Sequence, residues 1–411
     1  MKNAWIVCGL WAGVLCACSV ESEGEPSEVV DLGKADGFET TDAFPAVADL
    51  ALIVPMDDAR VRAVDVMPRS WLGKVYDALE ASELGESAED ESFEEDWRLV
   101  SARFVPCSAL GRVADAEEID TLCWPQVRLV FQPVLHNIRI SWALRDDYAD
   151  DRAIHALFRV APDGEALGEV LAALGDGARL YDLPPGVLRA FERERDVAAE
   201  LLLEWVAWLR DREAGYGRLE MRPELTDEVR ADAFYERLEE MLQALCRPWA
   251  LHELTAFSLP NGRNPASADL WSFVAFRGER GEITQSALEV FDPQTGAPLF
   301  AFPSSEDVST GLGDFEVWER IEGMSDERQA AVLRQVMMDT SELSEFAPRV
   351  NDPYQTLVPN VSCSTCHRMN GLNFNFHNLS YLEDQDITIA PRVRGDLVRD
   401  VRMGREQWSA R

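Results

Sequence analysis

The chain has 411 residues, 46% of them hydrophobic and 27% charged, and a formal net charge of −35. That length supports two or three domains and a sizeable core. The charge argues against nucleic acid and anionic lipid surfaces as direct partners; it serves solubility, or docking to a basic partner protein.

In chain order, Lys2 forms a short basic start, and Ala4 to Ala17 is apolar, with Trp5, Ile6, Val7, Leu10, Trp11, Val14 and Leu15. The stretch is too short to span a bilayer and fits the core of a signal peptide over residues 1–17. Leu15-Cys16-Ala17-Cys18 resembles the lipobox of bacterial lipoproteins, with Cys16 departing from the small residue usual at that place. The resemblance implies cleavage before Cys18, a lipid on Cys18 and, from Ser19, sorting to the outer membrane; an ordinary signal peptide cut nearby is the alternative. Later segments contain no long uncharged apolar run, so membrane contact is expected through the lipid anchor only. Residues 18–45 are acidic and poor in large apolar side chains, the composition of a tether. Within them Gly33-Lys34-Ala35-Asp36-Gly37 resembles uncharacterised myxobacterial lipoproteins.

Residues 46–322 read as an α+β body. From 46 to 160 strands dominate: Trp97 to Val105, the alternation of Val127, Leu129 and Phe131 before Pro133, and Ile138, Ile140, Trp142 and Leu144. Period-two patterning predicts a half-buried antiparallel sheet. The acidic run from Glu80 to Asp96 reads as an exposed loop or frayed helix end. From 161 to 260 the pattern is helical. Pro185 and Gly186 start a long helix to about Arg210, with Phe191, Ala198, Leu201, Trp205, Trp208 and Leu209 as its expected core face. Thr226 is placed to cap a second helix, with Val229, Ala233, Met241, Leu242 and Leu245 inward. From 261 to 322 short strands return at Trp271 to Phe276, Leu288 to Phe291, Leu299 to Phe302 and Phe315 to Ile321. Ser325 caps an expected helix to about Met338, and the last helix is expected over Val393 to Met403.

Residues 323–411 carry the one motif with strong chemistry, Cys363-Ser364-Thr365-Cys366-His367. Two thiols at this spacing can add to the two vinyl groups of one porphyrin, and the adjacent imidazole reaches the iron. The motif resembles the haem-attachment sequence of c-type cytochromes over about the last fifty residues. That implies one covalent haem c held by Cys363 and Cys366, with His367 as proximal ligand. His377 and Met403 are both candidates for the sixth position, and an open iron is the third option. His/Met ligation gives a higher potential than bis-His. Pro353 and Pro359 stand where the small cytochromes have a helix, so the attachment chemistry carries over further than their fold does. Val361 to Arg411 holds seven arginines and six acids, so this segment is near neutral; arginines beside a haem commonly pair with its propionates.

The remaining cysteines fit an oxidising compartment. Cys8 and Cys16 leave with the signal peptide, Cys107 and Cys123 form an expected local disulfide, and Cys246 reads as buried and inert. His136 and His252 read as structural, and His155 as paired near Asp150 and Asp151. The sequence contains no G-x-S-x-G, P-loop, H-E-x-x-H or dinucleotide fingerprint.

The expectation is therefore an exported, lipid-anchored α+β protein of antiparallel strands and amphipathic helices, ending in a short irregular to helical haem segment. It reads as an electron carrier more than a catalyst, working with a redox partner protein. One alternative is a haem-dependent peroxidase or ligand sensor with an open sixth position. The other is a structural or binding lipoprotein whose Cys363, Cys366, His367 and His377 hold zinc, or whose two cysteines form a disulfide.

Overall fold

A computed structural model describes residues 44–54, 60–81, 97–109, 122–136, 147–149, 153–160, 165–175, 183–210, 222–226, 228–258, 272–286, 288–291, 298–302 and 391–410. Among them an antiparallel sheet runs β1 (Ala51–Ile53), β2 (Trp97–Ala109), β3 (Cys123–His136), β5 (Ala153–Arg159), β6 (Leu251–Ser258), β7 (Ser272–Glu279) and β8 (Glu282–Ser286), while β4 (Asp147–Ala149) pairs with the far end of β3. A separate hairpin joins β9 (Leu288–Phe291) to β10 (Pro298–Phe302). Each strand on the path is antiparallel to its neighbour. The strands of this path thus follow one another in chain order, with helices Ala63–Val66 and Arg69–Ala81 between β1 and β2, β4 between β3 and β5, and a longer helical excursion between β5 and β6. That excursion holds α4 (Glu165–Gly175), α5 (Pro185–Leu209), a 3-10 turn at Pro223–Thr226 and α6 (Glu228–Leu245).

The alternation in the strands makes one face apolar. Directly opposed residues share a face, and the register stacks Phe104 on Val127, Val127 on Phe158, Leu129 on Ala156, Ala156 on Leu254 and Leu254 on Phe276. All of these are buried in one cluster with Phe191, Ala198, Leu202, Val206 and Leu209 of α5 and Phe234, Leu238, Met241 and Leu242 of α6. The helices thus cover the apolar side of the sheet, as the hydrophobic effect requires of a one-sided strand pattern. Trp124 marks the join: its indole N–H donates to Val160 O at 2.7 Å, and its ring lies 5.5 Å from that of Phe191.

Between β7 and β8 the chain turns through Arg280 (φ 53°) and Gly281 (φ 86°), two left-handed residues in succession that match the twist of a tight hairpin. A β-carbon on Gly278 would fall 2.2 Å from Leu251 O, so only glycine lets β7 approach the start of β6 this closely.

Several elements differ from the sequence expectation. The interval 46–160 also contains helices: α1 (Val47–Leu50), α2 (Ala63–Val66) and α3 (Arg69–Ala81). In α3 the buried Trp71, Leu72, Val75 and Ala78 follow a helical spacing. Residues 251–258 are a strand, not the end of the helical interval, because they pair with β5 on one side and β7 on the other while Leu251, Leu254 and Ala256 join the main core. On α5 the buried line is Phe191, Ala198, Leu202, Val206 and Leu209, whereas Leu201 and Trp208 are 37% and 43% exposed. Ala233 is likewise exposed, and Ala231, Phe234 and Tyr235 point inward instead. The final helix, α7 (Pro391–Ser409), is longer than expected at both ends. The expected strands at 138–144 and 315–321 and the expected helix from Ser325 lie outside the described residues.

Candidate functional site

The helix α7 ties the C-terminal region to the body through two adjoining stripes. Leu397, Val401 and Gly404 follow an i, i+4, i+7 spacing and turn inward: Leu397 and Val401 join the main core, and a β-carbon on Gly404 would stand 2.8 Å from Pro45. One turn further Trp408 packs edge-on against Phe44 at 4.8 Å. The neighbouring stripe is Asp396, Asp400 and Met403. Asp400 accepts a hydrogen bond from Arg103 of β2 at 2.7 Å, and Asp396 lies 3.6 Å from the same guanidinium. Arg399 stands 3.7 Å from Asp400. Burial by itself would lower the Arg103 pKa, but the carboxylates of Asp400 and Asp396 outweigh it and raise it. Burial pushes the Asp400 carboxyl up against the pull of Arg103 and Arg399. Removing one member of such a buried seam strands the rest, at a cost of about 3–5 kcal/mol.

The expected disulfide is present. Cys107 and Cys123 bridge β2 to β3 with their α-carbons 5.0 Å apart, beside the irregular register between Val105 and Ser108. Met403 completes a small buried cluster with them and is 8% exposed. Its side chain is therefore packed on the disulfide. Cys246 is free and buried as expected, and burial raises its thiol pKa well above the usual range. Cys18, Cys363, Cys366, His367 and His377 lie outside the described residues.

The other face of the sheet is polar. Arg103 of β2 opposes Arg128 of β3, Gln126 opposes Arg159 of β5, and Glu253 of β6 opposes Arg277 of β7. Arg128 donates to Gln126 Oε1 at 3.3 Å and to Ser108 Oγ at 2.5 Å. Arg159 lies 2.8 Å from the Nε2 of His252. Burial lowers both Arg128 and Arg159 to about 10. It also pushes His252 down to about 3, with the charges of Arg159 and Arg277 adding to the shift, so a neutral imidazole accepts from Arg159. His155 lies on this same face opposite Val130, and burial pushes it down to about 4. At neutral pH both histidines are uncharged hydrogen-bonding groups.

Sequence reading did not single out Arg128 and Arg159. The signal was present in the off-face positions of strands whose core positions were legible: Gln126 and Arg128 between Val127 and Leu129, and Arg159 after Phe158. Among the described residues no group of His, Cys, Asp or Glu side chains converges as a metal site, and no helix is long and apolar enough to cross a membrane.

Fold and side chains together define a mixed α+β protein with a largely antiparallel sheet, one face under helices and the other lined with arginine. Compared with known proteins, the chain matches no family model, no curated protein and no solved structure.

Proposed function

We propose that the protein is an exported, lipid-anchored monohaem cytochrome of the c-type that transfers single electrons to or from a partner protein. The observation that carries the reading is Cys363-Ser364-Thr365-Cys366-His367 behind an export-type N-terminus with Cys18 as the lipidation site. Cys363 and Cys366 hold the porphyrin, and His367 ligates the iron. The Cys107–Cys123 disulfide supports the reading, since disulfides persist in the oxidising compartments where c-type haem is attached. The burial of Met403 against that disulfide favours His377 for the sixth position, because Met403 would have to leave its packing to reach an iron. The α+β body then serves as the scaffold on which the haem segment is held through α7.

The deciding experiment is a pyridine haemochrome spectrum of protein made in a host with c-type maturation machinery, beside Cys366→Ala. The expected result is covalent haem in the wild type and its loss in the variant. A colourless wild type would overturn the proposal and leave the zinc or disulfide readings to metal and thiol assays.

A further inference from the structure

The seam between α7 and the sheet does not balance its charge. Asp396, Arg399, Asp400 and Met403 stand at i, i+3, i+4 and i+7 of α7 and so share one face of it. Asp396 and Asp400 meet Arg103 of β2, and Arg128 of β3 is the directly opposed neighbour of Arg103. The charges of Arg103, Asp396, Asp400 and Arg399 all reach the Arg128 guanidinium. Among the described residues, three guanidinia therefore gather around two carboxylates.

Hydrogen bonding shows where the surplus lies. Arg103 donates to Asp400 at 2.7 Å, whereas Arg399 comes no nearer to Asp400 Oδ1 than 3.7 Å, outside hydrogen-bond distance. Arg399 is only 6% exposed, and its Nε is buried with no hydrogen-bond partner. Asp400 Oδ1 is buried in the same condition, so the gap between the two residues holds an unused donor and an unused acceptor. Arg128 spends its bonds on neutral groups, Gln126 Oε1 at 3.3 Å and Ser108 Oγ at 2.5 Å. The Ser108 hydroxyl, having accepted from Arg128, keeps its own proton to donate. Buried guanidinium donors without acceptors and one positive charge in excess together describe a site for an anion.

The same groups restrict which anion. One surplus charge matches a single negative charge. Arg399 needs an acceptor, and Asp400 Oδ1 needs a donor, so the anion must carry an O–H as well as bare oxygens. Asp400 is 1% exposed and Ser108 3%, which leaves room only for something small. We propose that Arg399, Arg128 and Asp400 form a binding site for a small, singly charged, protonated oxyanion of the hydrogen carbonate type. Its bare oxygens accept from the two arginines, and its O–H donates to Asp400 Oδ1. Every group involved comes from β2, β3 or α7, so the site stands apart from the haem reading.

The test uses the full chain in carbonate-free buffer near pH 8, titrated with ¹³C-labelled hydrogen carbonate and followed by broadening of its NMR line. Nitrate, which has the same shape and charge but no O–H, is the competitor. Saturable binding at least tenfold tighter for hydrogen carbonate than for nitrate is expected. It should weaken at least tenfold in Arg399→Met and persist in Arg193→Met, on the exposed side of α5. Urea midpoints supply a second readout. Removing Arg399 leaves two guanidinia facing two carboxylates, so without hydrogen carbonate Arg399→Met should unfold at or above the wild-type midpoint. With the anion at saturation the wild type should overtake it. A wild type more stable than Arg399→Met by the same margin in both buffers would assign Arg399 a structural role and overturn the site. No saturable binding to the wild type would also overturn it, with a water molecule left to bridge Arg399 and Asp400. Equal binding of nitrate would overturn the assignment to a protonated anion. Should Arg399→Met fail to fold, Arg399→Gln supplies the same comparison.

Discussion

Met403 is subject to two incompatible demands. As an iron ligand its thioether must face a porphyrin; in the structure it fills the space beside Cys107 and Cys123 on the stripe that begins with Asp396 and Asp400. A side chain 8% exposed in a close-packed cluster contributes through the contacts it would lose. Met403→Ala is accordingly expected to destabilise the protein by about 2–4 kcal/mol, read from urea unfolding midpoints, and to leave the ligation spectrum of the holoprotein unaltered. A near-neutral stability change with an altered spectrum would return Met403 to the iron. The position shows why a candidate ligand is hard to assign from sequence. A methionine late in the chain after C-x-x-C-H has the chemistry, but its neighbours come from strands nearly three hundred residues earlier in the numbering.

At the level of elements, legibility followed local pattern and failed where tertiary contacts chose between near-equal alternatives. Strands β2 and β3, the start of α5 and the Cys107–Cys123 pair could be read directly, since strict alternation, Pro185 at a helix start and close cysteine spacing are local signals. The inward face of α5 was shifted. Leu201 and Trp208 are apolar and helically spaced with Trp205, yet Ala198, Leu202 and Val206 meet the sheet. Hydrophobicity alone does not say which of two adjacent apolar stripes is covered. The haem motif itself was legible as chemistry but has no described surroundings to set beside it. Two predictions belong here. Gly278→Ala forces a β-carbon onto Leu251 O, a backbone atom that no rotamer change can relieve; we expect a loss of about 2–3 kcal/mol by chemical denaturation, against about 1 kcal/mol for Gly281→Ala in the turn. Replacing Cys107 and Cys123 together by alanine removes a cross-link of 16 residues' separation; we expect a loss of about 3 kcal/mol, with α7 gaining amide exchange ahead of the sheet because Met403 loses its packing partner.

The molecule as a whole divides its charge by surface. Its carboxylates dominate the total at −35, while the outer sheet face concentrates arginine beside two uncharged histidines. That arrangement has a pH signature. His155 and His252 titrate near 6.5 when the chain is unfolded, and burial lowers them to about 4 and about 3 in the fold. Above pH 6.5 both are neutral in either state and their contribution to stability is fully present. As the pH falls below 6.5 the unfolded chain takes up protons that the folded protein refuses, so stability is lost progressively toward pH 4. For His252 the refusal has a local cause beyond burial: a protonated ring could no longer accept from Arg159 and would face Arg159 and Arg277 as like charges. Asp400 and Asp49, both raised by burial, act in the opposite sense, since the fold holds their protons more tightly and gains stability as the pH falls through their range. The histidine share is therefore isolated by comparison, not by the wild-type curve. Urea midpoints measured at about pH 7 and about pH 5 should fall further for the wild type than for His252→Gln or His155→Gln. The difference should be on the order of 1–2 kcal/mol per histidine after allowance for solvent screening. Curves that run parallel for wild type and both variants would mean that these rings protonate freely in the folded state and that the outer face carries more positive charge at low pH than the hydrogen bonds allow.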